Sequence, residues 1–233
     1  MIELDENVIR LISAKASKIK TYTGRQLKEA ILKSEGRVLM GQTYLKNPIL
    51  FPNCTSTELM FAFGGDMVML NGFDFRNPST CPGLQGFDYQ GIKNLVGGRP
   101  VGIYMGCPKE GLDITSDYLY DLSGMICTEE NLKKCKEWGV SFIVLGGNPG
   151  SGTSIKDVVH WTKKAREICG DDMLIFAGKW EDGIIEKVLG DPLADYDAKE
   201  IIDQLIENGA DIIDFPAPGS RHGITVERIR ELI

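Results

Sequence analysis

A phrase of helix, glycine and apolar run recurs along the chain. It reads FAFGGDMVMLNG at 61–72, CKEWGVSFIVLGGN at 135–148 and IENGADIIDFPAPG at 206–219. Each helical tail stops at a glycine, Gly64, Gly139 or Gly209, where a left-handed C-cap is needed and glycine adopts it at little cost. After one intervening residue an Asp or Ser opens an apolar run. Unbroken apolar runs suit strands buried on both faces, as in a parallel sheet covered by helices. RVLMG (37–41), PVGIYMG (100–106) and DMLIFAG (172–178) extend the series, so strands are expected to begin near 37, 67, 100, 141, 172 and 211.

Helical patterns fill the intervals. TEENLKKCKEWG begins with Thr128 as N-cap and Glu129 and Glu130 in the first turn, the arrangement that suits a helix N-terminus. The stretch 153–170 places Ile155, Val158, Val159, Thr162 and Ala165 near one face, and 197–209 does the same with Ile201, Ile202, Leu205 and Ile206. Before the first strand, NVIRLISAKASKIK and TGRQLKEAILKSEG read as two helices, a preamble over 1–36. No linker-like stretch interrupts the chain, so 1–233 is expected to be one α/β domain with six βα units over 37–233. The segments after the strands are long, polar and glycine-rich, whereas the returns before them are one or two residues. That asymmetry favours a parallel (β/α) barrel over an open doubly wound sheet, whose long loops would gather at its switch point.

Composition narrows the classes. The 233 residues carry 26 Lys plus Arg against 33 Asp plus Glu, a formal net charge of −7, with 42% hydrophobic residues. That excludes a disordered chain or a small disulfide scaffold, and argues against a nucleic-acid partner, which needs a cationic surface. The acidic N-terminus (Glu3, Asp5, Glu6) is unlike a signal peptide, and no apolar stretch is long enough for a membrane span. Six scattered cysteines (Cys54, Cys81, Cys107, Cys127, Cys135, Cys169) and no CxxC pair suggest free thiols in a reducing cytoplasm. With only His160 and His222 to supply imidazole, no dedicated zinc site is expected.

Candidate chemistry gathers after the strands. GGNPGSGTS (146–154) has the glycine spacing of a phosphate loop but Thr153 where the lysine would stand. The missing lysine argues against an ATPase, and a backbone-amide anion site around Gly150 and Gly152 is left open beside a plain glycine turn. Lys179, in AGKWEDG, follows the fifth run, where it could bind a phosphate or carboxylate; Glu181 beside it is a candidate proton carrier. FPAPGSRHGIT (215–225) sets Gly219, Ser220 and Arg221 after the sixth run, donors suited to an oxyanion. Asn71 and Asp74 follow the second run, and Gln42 follows the first. Cys107 reads as a buried strand-end thiol rather than a nucleophile, since no histidine lies nearby in sequence. Asp74, Asp113 and Glu181 could serve Mg²⁺, though without a DxD or HxH spacing, and no nucleotide-cofactor motif is present.

The segments FPNCTSTELMFAFGGDMVMLNGFDF (51–75), AGKWEDG (177–183) and FPAPGSRHGIT (215–225) resemble an uncharacterised bacterial family of TIM barrels often labelled haloacid dehalogenase-like. The first is also distantly similar to the phosphoenolpyruvate mutase and isocitrate lyase superfamily, without that superfamily's acidic metal cluster. The resemblance implies a barrel with an anionic small-molecule site at the strand C-termini, and the family's usual C-terminal segments, with their further strands, are expected to have no counterpart in this chain. The combined expectation is an enzyme of lyase or isomerase type. Lys179 and Arg221 would hold a phosphorylated or carboxylate metabolite, helped by Gln42 and the amides of Gly150, Gly152, Gly219 and Ser220. Asn71, Asp74 or Glu181 would handle protons. The alternative expectation is a catalytically silent, shortened barrel acting as an assembly module. In either case six strands leave open edges, which a second copy in a homodimer would cover.

Overall fold

The computed structural model describes residues 5–109, 124–147, 153–178, 198–215, 217–218 and 225–232. Six strands, β1 (Met40–Tyr44), β2 (Met67–Asn71), β3 (Val101–Gly106), β4 (Phe142–Gly146), β5 (Leu174–Ala177) and β6 (Ile212–Ile213), form one sheet in sequence order. The strands are parallel, with Met40 opposite Met67 and Tyr44 opposite Asn71 at one end of the order, and Phe176 opposite Ile212 at the other. Helices alternate with them: α1 (Ala16–Ile19) and α2 (Gly24–Leu32) precede β1, α3 (Ser56–Ala62) precedes β2, and α4 (Tyr89–Leu95) precedes β3. Then come α5 (Glu129–Glu137), α6 (Ile155–Cys169), α7 (Ala198–Glu207) and α8 (Val226–Leu232). This is the α/β, TIM-barrel-like succession of six βα units behind a helical preamble. Among the described residues β1 and β6 are the two ends of the sheet.

The apolar runs became strands for the reason the pattern implies. Every residue of β3, β4 and β5 is buried, so each has apolar cover on both faces. The capping glycines Gly64, Gly139 and Gly209 have φ of +93°, +60° and +102°, as expected for left-handed helix ends. Residues that follow them have a further use. Asp66 donates its N–H to Leu39 O (2.8 Å) while its Oδ2 accepts from Leu39 N (2.8 Å). Asp211 repeats this pairing on Ile175, with its N–H at 2.8 Å and its Oδ2 at 3.0 Å. Each aspartate thus closes a two-bond ring across the entry to a strand pair, β1–β2 in one case and β5–β6 in the other. Asp211 also binds Arg166 Nη2 at 2.5 Å, and Arg166 donates to Gly209 O at 2.9 and 3.2 Å, tying the end of α7 to α6. Ser141, at the equivalent place before β4, makes no such side-chain ring among the described residues; its N–H donates to Val101 O (3.3 Å) and Tyr89 Oη (3.4 Å).

Three expectations shift. RVLMG is not the first strand: β1 runs Met40–Tyr44, three residues later, with alternate positions exposed. The preamble's first helix is replaced by a 3₁₀ turn (Leu11–Ser13) and the single turn α1. Val8 and Leu11 are buried, but no residue from 12 to 20 is, and a helix without a buried face lacks most of what holds a helix in a protein. The second preamble helix forms as α2, closed by a capping box in which Thr23 accepts from Gln26 N and Gln26 from Thr23 N. On α7, Ile201 and Leu205 are buried as expected, whereas Ile206 is 54% exposed.

By internal packing the chain divides into two compact units: Met1–Tyr104 with Glu130–Ile143 and Cys169–Leu174, and Met105–Glu129 with Val144–Ile168 and Ile175–Ile233. The first holds an aromatic cluster in which Trp138 stacks on Phe75 (5.7 Å) and Tyr89 (6.4 Å), with Phe73 edge-on to all three. Tyr89 is buried and its hydroxyl donates to Val101 O at 2.8 Å, so burial raises its pKa. In the second unit α6 buries Ile155, Val158, Thr162 and Ala165, four of the five positions expected on its inner face.

Candidate functional site

In the first unit the C-terminal ends of β1 and β2 carry a small charge cluster. The chain leaves β2 through Gly72, where a Cβ would press on Tyr44 Cε2 and Lys46 Cγ, both at 3.3 Å; the missing side chain lets the Lys46 stem and the Tyr44 ring close over it. Asp74 follows, buried, and accepts three bonds from Arg76: the backbone N–H at 2.9 Å, Nε at 3.2 Å and Nη2 at 3.1 Å. Burial alone would raise the Asp74 pKa. The Arg76 hydrogen bonds, with the charges of Arg76 and Lys46, outweigh it and hold the carboxyl below its ordinary value. Asp74 is therefore an anion that fixes a guanidinium, and Arg76 keeps 42% of its side chain in solvent. Asn71 is the last residue of β2, half-buried, and its carbonyl accepts from Leu45 N at 2.9 Å. Gln42 is corrected in place: it lies inside β1, opposite Met69 and on the exposed face, rather than after the strand.

In the second unit the strand ends are closed by backbone bonds. Cys107 N donates to Gly146 O (2.7 Å), Gly178 N to Leu145 O (3.0 Å) and Asp214 N to Ala177 O (3.0 Å). Cys107 is buried, and desolvation followed by the Asp157 charge raises its pKa, so it is a packed thiol as expected. The hydroxyl of Thr153 donates to Cys107 O at 2.7 Å. Ser154 and Asp157 form a reciprocal cap: Ser154 N and Oγ donate to Asp157 Oδ2 at 2.7 and 2.9 Å, and Asp157 N returns a 3.3 Å bond to Ser154 Oγ. The start of α6 thus already has a carboxylate of its own, which competes with any phosphate for the same donors.

The end of β6 holds the residue that sequence reasoning missed. Asp214 is half-buried, and burial pushes its carboxyl up to about 6. Among the described residues its carboxylate has no hydrogen-bond or ion-pair partner. The only sequence signal is a single acidic residue interrupting the IIDF run, easily passed over beside the richer FPAPGSRHGIT loop. Lys179, Glu181, Gly150, Gly152, Gly219, Ser220 and Arg221, with Asp113 and His222, lie outside the described residues. Among those described, no group of three His, Cys, Asp or Glu residues could hold a metal ion, and no helix is long and apolar enough to cross a membrane. All six cysteines are thiols outside any disulfide.

A family model matches residues 12–233, and its description is Domain of unknown function (DUF7916). The chain belongs to the DUF7916 family. That description carries neither the haloacid dehalogenase-like label nor the mutase and lyase link that the sequence resemblance suggested. No curated protein matches this DUF7916 chain. Among solved structures it is similar to a thiamine phosphate pyrophosphorylase from Pyrococcus furiosus, at 11% identity over 86% of this chain and 67% of that one, with a TM-score of 0.41. It is also similar to a GH27 β-L-arabinopyranosidase from Geobacillus stearothermophilus, at 14% identity over 60% of this chain and 47% of that one, with a TM-score of 0.37. Similarity at that level says nothing about the reaction. The fold of the DUF7916 chain rests on its own strand order.

Proposed function

We propose that the protein is a barrel-type enzyme whose strand C-termini bind a small phosphorylated or carboxylate metabolite, with lyase or isomerase chemistry beside a carbonyl. The observation that carries this reading is the Asp74–Arg76 pair. A buried, ionised carboxylate at the end of β2 holds a guanidinium whose side chain still reaches solvent. A guanidinium fixed in this way is preorganised for a planar anion. Lys46 adds a second cation at the end of β1, close enough to act on Asp74. Asn71 is the polar candidate of the first unit in this reading, and Lys179, Glu181 and Arg221 are the candidates that the sequence sets after the fifth and sixth apolar runs. The electrostatic logic is that of an enolate stabilised by fixed cations.

A thermal-shift screen of phosphorylated and carboxylate metabolites tests the reading, repeated on Arg76→Met and Lys179→Ala. Stabilisation of the wild type by at least one class, weakened in both variants, is the expected result. A wild-type protein that none of them stabilises would end the proposal. One observation favours a second reading, a self-associating structural module. Leu39, Tyr44, Leu50 and Phe51, in or near β1 in sequence, and Phe63, at the end of α3, are 49–80% exposed. Light scattering on the purified protein separates the two, since that module would be a stable homodimer that no metabolite affects.

A further inference from the structure

We propose that Asp214 receives a hydroxyl group of the ligand at the paired ends of β5 and β6, so that the substrate class is hydroxyl-bearing anions such as sugar phosphates or hydroxy acids. The inference rests on the small-anion reading above and narrows it. Its first support is a contrast among aspartates. Asp66 and Asp211 each hold a backbone N–H of the neighbouring strand, Asp74 holds Arg76, and Asp157 caps Ser154. Asp214 has no such duty among the described residues, yet it is half-buried at the carboxyl end of a parallel strand, where ligands of such folds bind. Its backbone is fixed there by the bond from its N–H to Ala177 O, and Gly178 N is already bonded to Leu145 O. The side-chain oxygens of Asp214 are thus polar atoms that the sheet does not use.

Gly178 supplies the second support. A Cβ placed there would lie 3.1 Å from Asp214 Cβ and closer still to its carbonyl, so glycine is what lets the backbone beyond β5 lie against Asp214. Burial is the sole cause of the carboxyl's shift to about 6, and no charged group on the described elements contributes. An ionised carboxylate in that position lacks hydrogen-bond donors. A ligand hydroxyl supplies one, favours the ionised form and lowers the pKa in the complex. Binding therefore releases a proton, and affinity rises with pH.

Calorimetric titration with ribose 5-phosphate and glycerate, each against an analogue without hydroxyls (butyl phosphate and butyrate), tests this at pH 5 and pH 7. The same titrations on Asp214→Asn remove the phosphate's own ionisation from the comparison. Full relief of the shift gives an affinity gain of up to about tenfold between those pH values, over and above that of the variant and of the analogues. Equal gains in wild type and variant would overturn the role of Asp214 while leaving the anion site standing, as would equal affinity for the hydroxyl-free analogues. If neither the probes nor their analogues bind the wild type, the small-anion reading fails and takes this inference with it.

Discussion

Replacing Asp214 with asparagine should make the protein more stable, and increasingly so as pH rises. The reasoning is thermodynamic linkage. The carboxyl titrates near 3.8 when unfolded and near 6 when folded, so between those values the folded state holds a proton that the unfolded state has released. Stability contributed by this group is fully present below 3.8 and is lost as pH climbs through 6. A shift of this size corresponds to about 3 kcal/mol, and partial exposure of the carboxyl reduces that to about 2 kcal/mol. Asparagine cannot ionise and keeps the shape of the side chain. At pH 7.5 the variant should therefore gain about 2 kcal/mol, which is a rise of roughly 0.7 M in the urea midpoint for a slope of about 3 kcal/mol per molar. Near pH 4 the gain should fall to a few tenths of a kcal/mol. Urea titrations followed by far-ultraviolet circular dichroism at both pH values measure it. A variant no more stable than wild type at pH 7.5, or a gain that does not grow with pH, would refute a carboxyl strained by burial.

Other predictions concern the strand ends and entries. Asp211→Ala should cost about 3 kcal/mol, because it strips Arg166 of a part-buried ion partner as well as freeing Ile175 N. Asp66→Ala, which loses only the bond to Leu39 N, should cost about 1 kcal/mol in the same denaturation assay. Gly178→Ala should destabilise by about 1–3 kcal/mol, since the added methyl meets Asp214 backbone rather than a movable side chain. With a chromogenic thiol reagent, one cysteine of the native protein, Cys54, should react quickly and the five buried thiols slowly. A fast reaction at Cys107 would contradict its burial.

The strands that were easiest to read are those covered on both faces. β3 and β4 have no exposed position, so an apolar run is their natural spelling. β1 was misplaced because it ends the sheet: Gln42 and Tyr44 face outward, the apolar run gives way to alternation, and RVLMG drew attention too early. Leu39, which helped to make that run, is 59% exposed and belongs to the turn that Asp66 ties down. The glycine C-caps were legible because conformation alone requires them. The Asp two residues later was visible in the repeat, but its bond to the neighbouring strand depends on a partner far away in sequence. Asp214 failed for a different reason. Its chemistry comes from burial and from the want of a partner, and neither is written in the residue or its immediate neighbours.

The two aspartate rings bear on the order in which the molecule comes apart. Each ring clamps the N-terminal entrance of a strand pair, so amides at that end should open together with the pair rather than fray one by one. Leu39 and Ile175 donate to side-chain carboxylates rather than to backbone carbonyls, and their exchange with heavy water should therefore accelerate in Asp66→Ala and Asp211→Ala. The entrance before β4 carries a serine in place of the clamp. Hydrogen exchange read residue by residue would then show β1 opening with β2, and β5 with β6, each as a pair at its own entrance, a cooperativity set by one residue per clamped entrance.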